Sequence, residues 1–314
     1  MAYLNLIRYK NLIIIVLLQI LLRYGLLIPI LNHFGVSPEL SHLRFGLLVL
    51  ATVLLAASGY VINNYFDVSI DRINKPDNVV VGRQVPRRTA LLLHVIFTFT
   101  GVFIGLFLAY ITRKENYALM FILIPGLLWY YSTTLKKQML VGNLTIALLT
   151  ALVPFVVVSI EFATLARVHG SIILQSEACS TAWFWTTGFA FFAFISTLMR
   201  ELIKDMEDVE GDREAGCRTL PVEMGIDYSR SIVVILSIAS VAALWLILII
   251  VPQLRSSLIT IGYFALFLTI PYVVLALKTL TSKTKKDFAF ISGLSKIIML
   301  MGILFIIVAR TFFV

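Results

Sequence analysis

Charge is scarce in this chain and cysteine is nearly absent. Of 314 residues 14% are charged, and the two cysteines, Cys179 and Cys217, stand far apart. That spacing excludes a zinc site and a disulfide framework. No long run alternates apolar and polar residues as a half-buried strand does. No soluble domain is present to carry a basic face, so the net charge of +9 does not point to nucleic acid. No small-residue cleavage pattern follows the first apolar run, which therefore reads as a retained helix and not a removed signal peptide. No small-xxx-small face stands out to set an oligomeric state. Inside the apolar runs the ionisable residues are few: Arg23, His94 and Lys296. A charge at the centre of a membrane helix costs about 2.5–3.5 kcal/mol. Arg23 and Lys296 are therefore expected to face the bundle interior or to snorkel.

What fills the chain is apolar: 60% of residues are hydrophobic, and the mean hydropathy is +0.95. A soluble domain cannot keep that much apolar surface from water, whereas a bilayer solvates it. Nine segments approach the roughly 20 residues a spanning helix needs. They run over about 12–32, 44–66, 90–112, 116–134, 140–160, 183–203, 231–251, 257–278 and 288–311. Only helices or closed barrels satisfy their backbone in lipid. The expected fold is all-α: a polytopic bundle with a central cavity open to the cytoplasmic side. With the N-terminus cytoplasmic, loop Lys and Arg favour that side by about three to one. Two long charged loops, 67–89 and 204–230, then fall on the same face, four spans apart. That spacing suggests two groups of four helices followed by a ninth.

Each of these loops opens on an acidic motif. The first is Asn63-Asn64-Tyr65-Phe66-Asp67-Val68-Ser69-Ile70-Asp71. On a continuing helix Asn63, Asp67 and Asp71 project from one stripe. In the second, Asp205, Asp208 and Asp212 follow i, i+3, i+7 spacing. Acids at a membrane boundary can simply face water and pair with nearby Lys and Arg. Two matching stripes on one membrane side are harder to explain in that way. Stacked carboxylates repel, and a hard divalent cation such as Mg²⁺ offsets this while bridging carboxylates to substrate phosphates. The metal candidates are Asn63, Asp67, Asp71, Asp205, Asp208 and Asp212. The five aspartates are also the catalytic candidates.

Basic residues crowd the same loops: Arg72, Lys75, Arg83, Arg87 and Arg88 in the first, Arg200, Lys204, Arg213 and Arg218 around the second. Each can serve as a topology determinant. Together they can clamp a diphosphate, Arg as a fork and Lys as a point charge. Lys136 and Lys204 lie nearest the acids. Lys136 ends the stretch Tyr131-Ser132-Thr133-Thr134-Leu135-Lys136 that closes the fourth span.

The motif pair resembles the UbiA superfamily of intramembrane prenyltransferases over nearly the whole chain. Asn63, Asp67 and Asp71 match its N-D-x-x-D-x-x-x-D, and Asp205, Asp208 and Asp212 its D-x-x-D-x-x-x-D. Tyr131 and Lys136 match the family's element after the fourth helix. Arg8 and Asn11 resemble its R-P-x-N, with Tyr9 in place of proline, which makes Asn11 a substrate contact. Asn64 departs from the family, which usually has Asp there, and leaves the first metal site a charge short.

The resemblance implies one prenyltransferase domain over 1–314. It implies Mg²⁺ as cofactor, a polyprenyl diphosphate and a lipophilic acceptor as partners, and no obligate protein partner. Asn11, Tyr65, Arg72, Lys75, Tyr131, Lys136 and Lys204 are the substrate-binding candidates. Tyr65 and Tyr131 could face an allylic cation or anchor the interface. Asn63–Asp77 reads most like the branch that makes digeranylgeranylglyceryl phosphate. Lys283, Lys285 and Lys286 could hold the acceptor phosphate or form a solvated loop. The alternatives are an aromatic quinone-precursor acceptor and, outside the class, a transporter. Transporters often carry inverted repeats, whereas the repeat suggested here is parallel.

Overall fold

The computed structural model describes residues 1–74 and 76–314, and for Asn78 the backbone alone. Among the described residues nine helices are long and apolar enough to cross a membrane. They are α1 (Tyr9–His33), α2 (His42–Phe66), α3 (Arg87–Thr112), α4 (Glu115–Lys137), α5 (Val141–His169), α6 (Glu177–Glu207), α7 (Ile226–Ile250), α8 (Leu258–Thr281) and α9 (Lys285–Phe312). Each expected segment is there. α5 and α6 outrun 140–160 and 183–203, because caps and backbone bonds end a helix, not hydropathy. The Ser176 hydroxyl caps α6 by accepting from the Cys179 N–H at 3.3 Å. Among the described residues no strand forms, only an isolated bridge between Val81 and Val85.

α6 is the hub of the bundle and packs on α5, α7 and α9. α2 lies against α3 and α4, and α8 fills the angle between α7 and α9. The wide π-helical turn Leu21–Leu27 of α1 seats on α9 and closes the ring. Helices in lipid gain little from hydrophobic exclusion, so close approach at small residues holds them together. Gly302 shows this: a Cβ added there would lie 1.9 Å from the Phe192 ring of α6. The outer face is apolar, with Phe99 and Phe103 each 72% exposed. Such a belt is an aggregation hazard in water and is solvated in a bilayer.

Two of the three in-span ionisable residues are explained by packing. Arg23 meets Glu161 at 2.8 Å, and both side chains are buried. Glu161 also accepts from the backbone N–H groups of Glu39 at 2.7 Å and Leu40 at 3.0 Å. Arg23 donates to the Leu40 carbonyl and lies 4.8 Å from the Phe45 ring centre. This network ties the α1–α2 loop to α1 and α5. His94 is buried with Nδ1 3.0 Å from the Ser58 carbonyl, linking α3 to α2. Lys296 is different: it lines the cavity described below.

Glu161→Ala should lower stability by about 3–5 kcal/mol, because it strands a buried guanidinium. Thermal unfolding in detergent measures this, and Arg23→Leu combined with Glu161→Leu should recover most of the loss. A double variant as unstable as the single one would contradict the reading.

Candidate active site

The two acidic motifs fold alike. α2 ends at Phe66, Asp67 sits at the break with φ −83° and ψ 0°, and a short helix Val68–Asn74 follows. α6 ends at Glu207, Asp208 sits at the break with φ −103° and ψ 9°, and a short helix Val209–Glu214 follows. Helical bonding crosses both breaks. The Asp67 N–H donates to Asn63 O at 2.9 Å and the Asp71 N–H to Asp67 O at 2.8 Å. The Asp208 N–H donates to Lys204 O at 2.9 Å and the Asp212 N–H to Asp208 O at 3.1 Å. Each motif therefore keeps its acids on one stripe, with a slight turn at the middle aspartate.

The two short helices pack on each other through Asn74, a buried residue that sequence reasoning missed. Its amide donates to Asp208 O at 3.0 Å and accepts from the Gly211 N–H at 3.0 Å. Gly211 is required at this contact, since a Cβ would lie 2.5 Å from the Asn74 amide. Lys285 donates to the Asn74 carbonyl and holds the α9 N-terminus on the same junction.

Both stripes face one cavity of about 500 Å³, lined by Asn63, Asp67, Asp71, Asp205, Asp208 and Asp212. Of the substrate-binding candidates, Asn11, Tyr131, Lys136 and Lys204 also line it. Lys136 pairs with Asp67 and donates to Asn63 Oδ1 at 3.4 Å. The Asn63 amide donates to Asp67 Oδ2 at 2.7 Å. The Asn143 amide, missed in the sequence, donates to Asp205 Oδ2 at 2.7 Å. Lys204 lies 3.9 Å from Glu201, another lining residue that was missed.

Two candidates lie elsewhere. Tyr65 does not line the cavity. It packs with Leu6 and Val61 beneath the Arg87 guanidinium, which sits 4.9 Å from its ring centre. Position 65 is roughly 200° around the helix from Asn63, on the opposite face. Arg72 is exposed and off the lining, one residue past the Asp71 stripe. Lys75 lies outside the described residues.

The donor set suits a hard cation. Among the described residues no three acidic, His or Cys side chains form a ready-made metal cage. The carboxylates form two walls instead, as suits Mg²⁺, which takes one or two carboxylates and leaves other positions to water and phosphate. Burial, then the neighbouring Asp208, pushes the Asp212 carboxyl up to about 6, although Thr219 donates to it at 3.3 Å. Burial likewise pushes the Cys217 thiol up, so it stays neutral beside the oxygen donors.

Comparison with known proteins places this geometry. Residues 26–294 match the model of the UbiA prenyltransferase family. The chain belongs to this family. Digeranylgeranylglyceryl phosphate synthase of Sulfurisphaera tokodaii is 31% identical over 246 residues, 76% of this chain and 77% of that protein. A solved digeranylgeranylglyceryl phosphate synthase structure superposes with TM-score 0.60 at 24% identity, covering 98% of this chain and 97% of that one. The Archaeoglobus fulgidus UbiA homolog bound to DMAPP and Mg²⁺ gives TM-score 0.54 at 18% identity, covering 98% of this chain and 99% of that one. The fold is the UbiA fold, and the chain is a multi-pass membrane prenyltransferase.

In this prenyltransferase Asn64 has work that an aspartate could not do. Its amide donates to Leu6 O at 2.9 Å, and its Oδ1 accepts from Arg8 at 3.3 Å. It docks the N-terminal segment onto α2, where Arg8 turns the chain with φ 50°. A carboxylate has no N–H for the Leu6 carbonyl.

The raised Asp212 carboxyl gives a pH dependence of known sign. Its folded pKa exceeds its unfolded value, so its contribution to stability is lost as pH rises through about 6. A metal competes with the same proton. Mg²⁺ affinity, measured by isothermal titration, should therefore fall as pH drops from about 7.5 to 5.5. Asp212→Asn should bind more weakly at the upper pH and lose that slope. A flat wild-type profile across the window would contradict the assignment.

Proposed function

We propose that the enzyme transfers a polyprenyl group from an allylic diphosphate to the free hydroxyl of geranylgeranylglyceryl phosphate, releasing diphosphate. The observation that carries this reading is two aspartate walls and their lysines facing one cavity. The acceptor rests on the relatives: the Sulfurisphaera tokodaii synthase shares 31% identity over three-quarters of this chain.

In this reading Lys136 and Lys204 hold diphosphate oxygens at the edge of the aspartate walls. Mg²⁺ on Asn63 and the five aspartates supplies the charge that stabilises the leaving diphosphate. The allylic C–O bond breaks, and the electron pair leaves with the diphosphate. The Tyr131 ring faces the resulting cation. The acceptor oxygen forms the new ether bond, and its proton passes to the carboxylate–diphosphate cluster. Lys136 is held between Asp67 and Asn63, so it is in place before substrate arrives.

The same reading puts the N-terminus and the cavity mouth on the cytoplasmic side, on the strength of the Lys and Arg excess in those loops. The matching breaks at Asp67 and Asp208 support a parallel repeat of four helices, with α9 appended.

Asp67→Ala and Asp208→Ala should each lower transfer by on the order of 10²–10³ or more, and EDTA should abolish it. The assay is purified protein in lipid nanodiscs with geranylgeranyl diphosphate and a panel of glycerol-phosphate and aromatic acceptors, read by mass spectrometry. Full activity in EDTA sinks the mechanism. An aromatic ether or alkylated ring as sole product sinks the acceptor.

A further inference from the structure

A one-turn helix, Ala2–Leu6, precedes α1 and is set off from it by the left-handed turn at Arg8. Its two faces differ. Ala2 and Leu6, at i and i+4, share one face. They join the cluster of Val61, Val81, Val85 and Ala90, where Leu6 is fully buried. The Asn64 amide fastens this face to α2 by donating to the Leu6 carbonyl at 2.9 Å. Asn5 lines the cavity, as do Val80 and Gln84 of the loop that holds Leu6. On the other face Met1, Tyr3 and Leu4 are 91%, 55% and 44% exposed. The level of this face in the bundle is set by α3. Leu6 clusters with Val85 and Ala90, which flank Arg87 and Arg88 at the start of that helix. Both arginines are exposed, and exposed Leu91 and Leu92 follow within the span. The one-turn helix therefore lies where α3 passes from water into lipid.

We propose that Ala2–Leu6 is an interfacial strap: Met1, Tyr3 and Leu4 sit in the headgroup layer of the bilayer, and Asn64 latches the strap across the rim of the cavity. The exposed face continues the lipid-facing surface of α1, which Ile13 and Ile20 carry onward. Tyrosine favours the headgroup layer. No acidic residue precedes Glu39, and Arg8 and Lys10 follow the strap, so anionic headgroups meet no repulsion. Three side chains on one turn are far too small a patch for a protein partner, which needs about 800 Å² on each side. The strap also has work to do. An allylic cation must be kept from water, and one turn of helix separates the cavity from the bilayer surface here. The lipid contact is independent of the acceptor, whereas the closure rests on the use of geranylgeranyl diphosphate.

Spin labels on the full-length enzyme in nanodiscs locate the strap without reference to the reaction. With the two buried cysteines replaced by alanine, labels go on Leu4→Cys, on Phe99→Cys in the outer belt and on Asp77→Cys in an exposed loop. Oxygen partitions into lipid and a nickel chelate stays in water. The ratio of their collision rates at Leu4 should exceed the Asp77 value and approach the Phe99 value. A Leu4 ratio equal to that at Asp77 overturns the lipid contact. Asn64→Ala removes the latch and leaves the lipid face intact. Amide exchange over residues 2–8 should then speed up by about 3–10-fold, the equilibrium equivalent of one hydrogen bond. Exchange as slow as in wild type overturns the latch. A loosened strap admits water to the allylic carbon. The water oxygen bonds that carbon as the C–O bond to diphosphate breaks, its proton passes to the diphosphate, and prenyl alcohol forms in place of the transfer product. The share of prenyl alcohol should rise several-fold in Asn64→Ala. It should also rise in Tyr3→Ser combined with Leu4→Ser, exposed positions whose change spares the fold. Faster exchange with an unchanged share overturns the closure. If wild type consumes no geranylgeranyl diphosphate, the substrate reading fails, and the label and exchange results still decide the strap.

Discussion

Repulsion between carboxylates that have little water to separate them is the constraint on which this structure depends. Six acidic side chains border one cavity at the end of an apolar bundle, and an uncompensated charge there is costly. The fold offsets part of this itself. Lys136 is placed against Asp67, Asn143 donates to Asp205 and Thr219 to Asp212. In the proposed function a bound divalent cation offsets this repulsion further. Preorganisation follows from the same arrangement, because the donors and lysines are fixed before substrate arrives.

The scaffold keeps those walls in register. Asn74 joins the two short helices by bonding the backbone of the second motif, and Gly211 allows the contact. Lys285 draws the start of α9 to the same junction. At the Arg23 end a buried ion pair locks the α1–α2 loop to α5. α1 and α9 bring Arg8 and Lys296 to the same cavity.

The spans were legible because hydropathy over some 20 residues reports the solvent around a helix. The acidic stripes were legible because i, i+4 spacing fixes direction whatever the rest of the fold does. The same geometry excludes Tyr65, which adjacency in sequence made attractive and helical rotation carries to the opposite face. Asn64, Asn143 and Asn74 were not legible in their roles, since their partners lie 58, 62 and 134 residues away. Glu161 was hidden for the same reason, 138 residues from Arg23. Lys296 stood out in the sequence as a charge in a span, but only the packing of α9 on α6 and α1 reveals which cations surround it.

In the proposed function the two aspartate walls act as one metal-dependent diphosphate site. Its most direct test is the affinity of the purified protein for geranylgeranyl S-thiolodiphosphate, a slowly reacting analogue, titrated with Mg²⁺ and again in EDTA. Tight binding is expected with Mg²⁺, lost in EDTA and lost with either Asp67→Ala or Asp208→Ala. Equal affinity with and without the metal would contradict it.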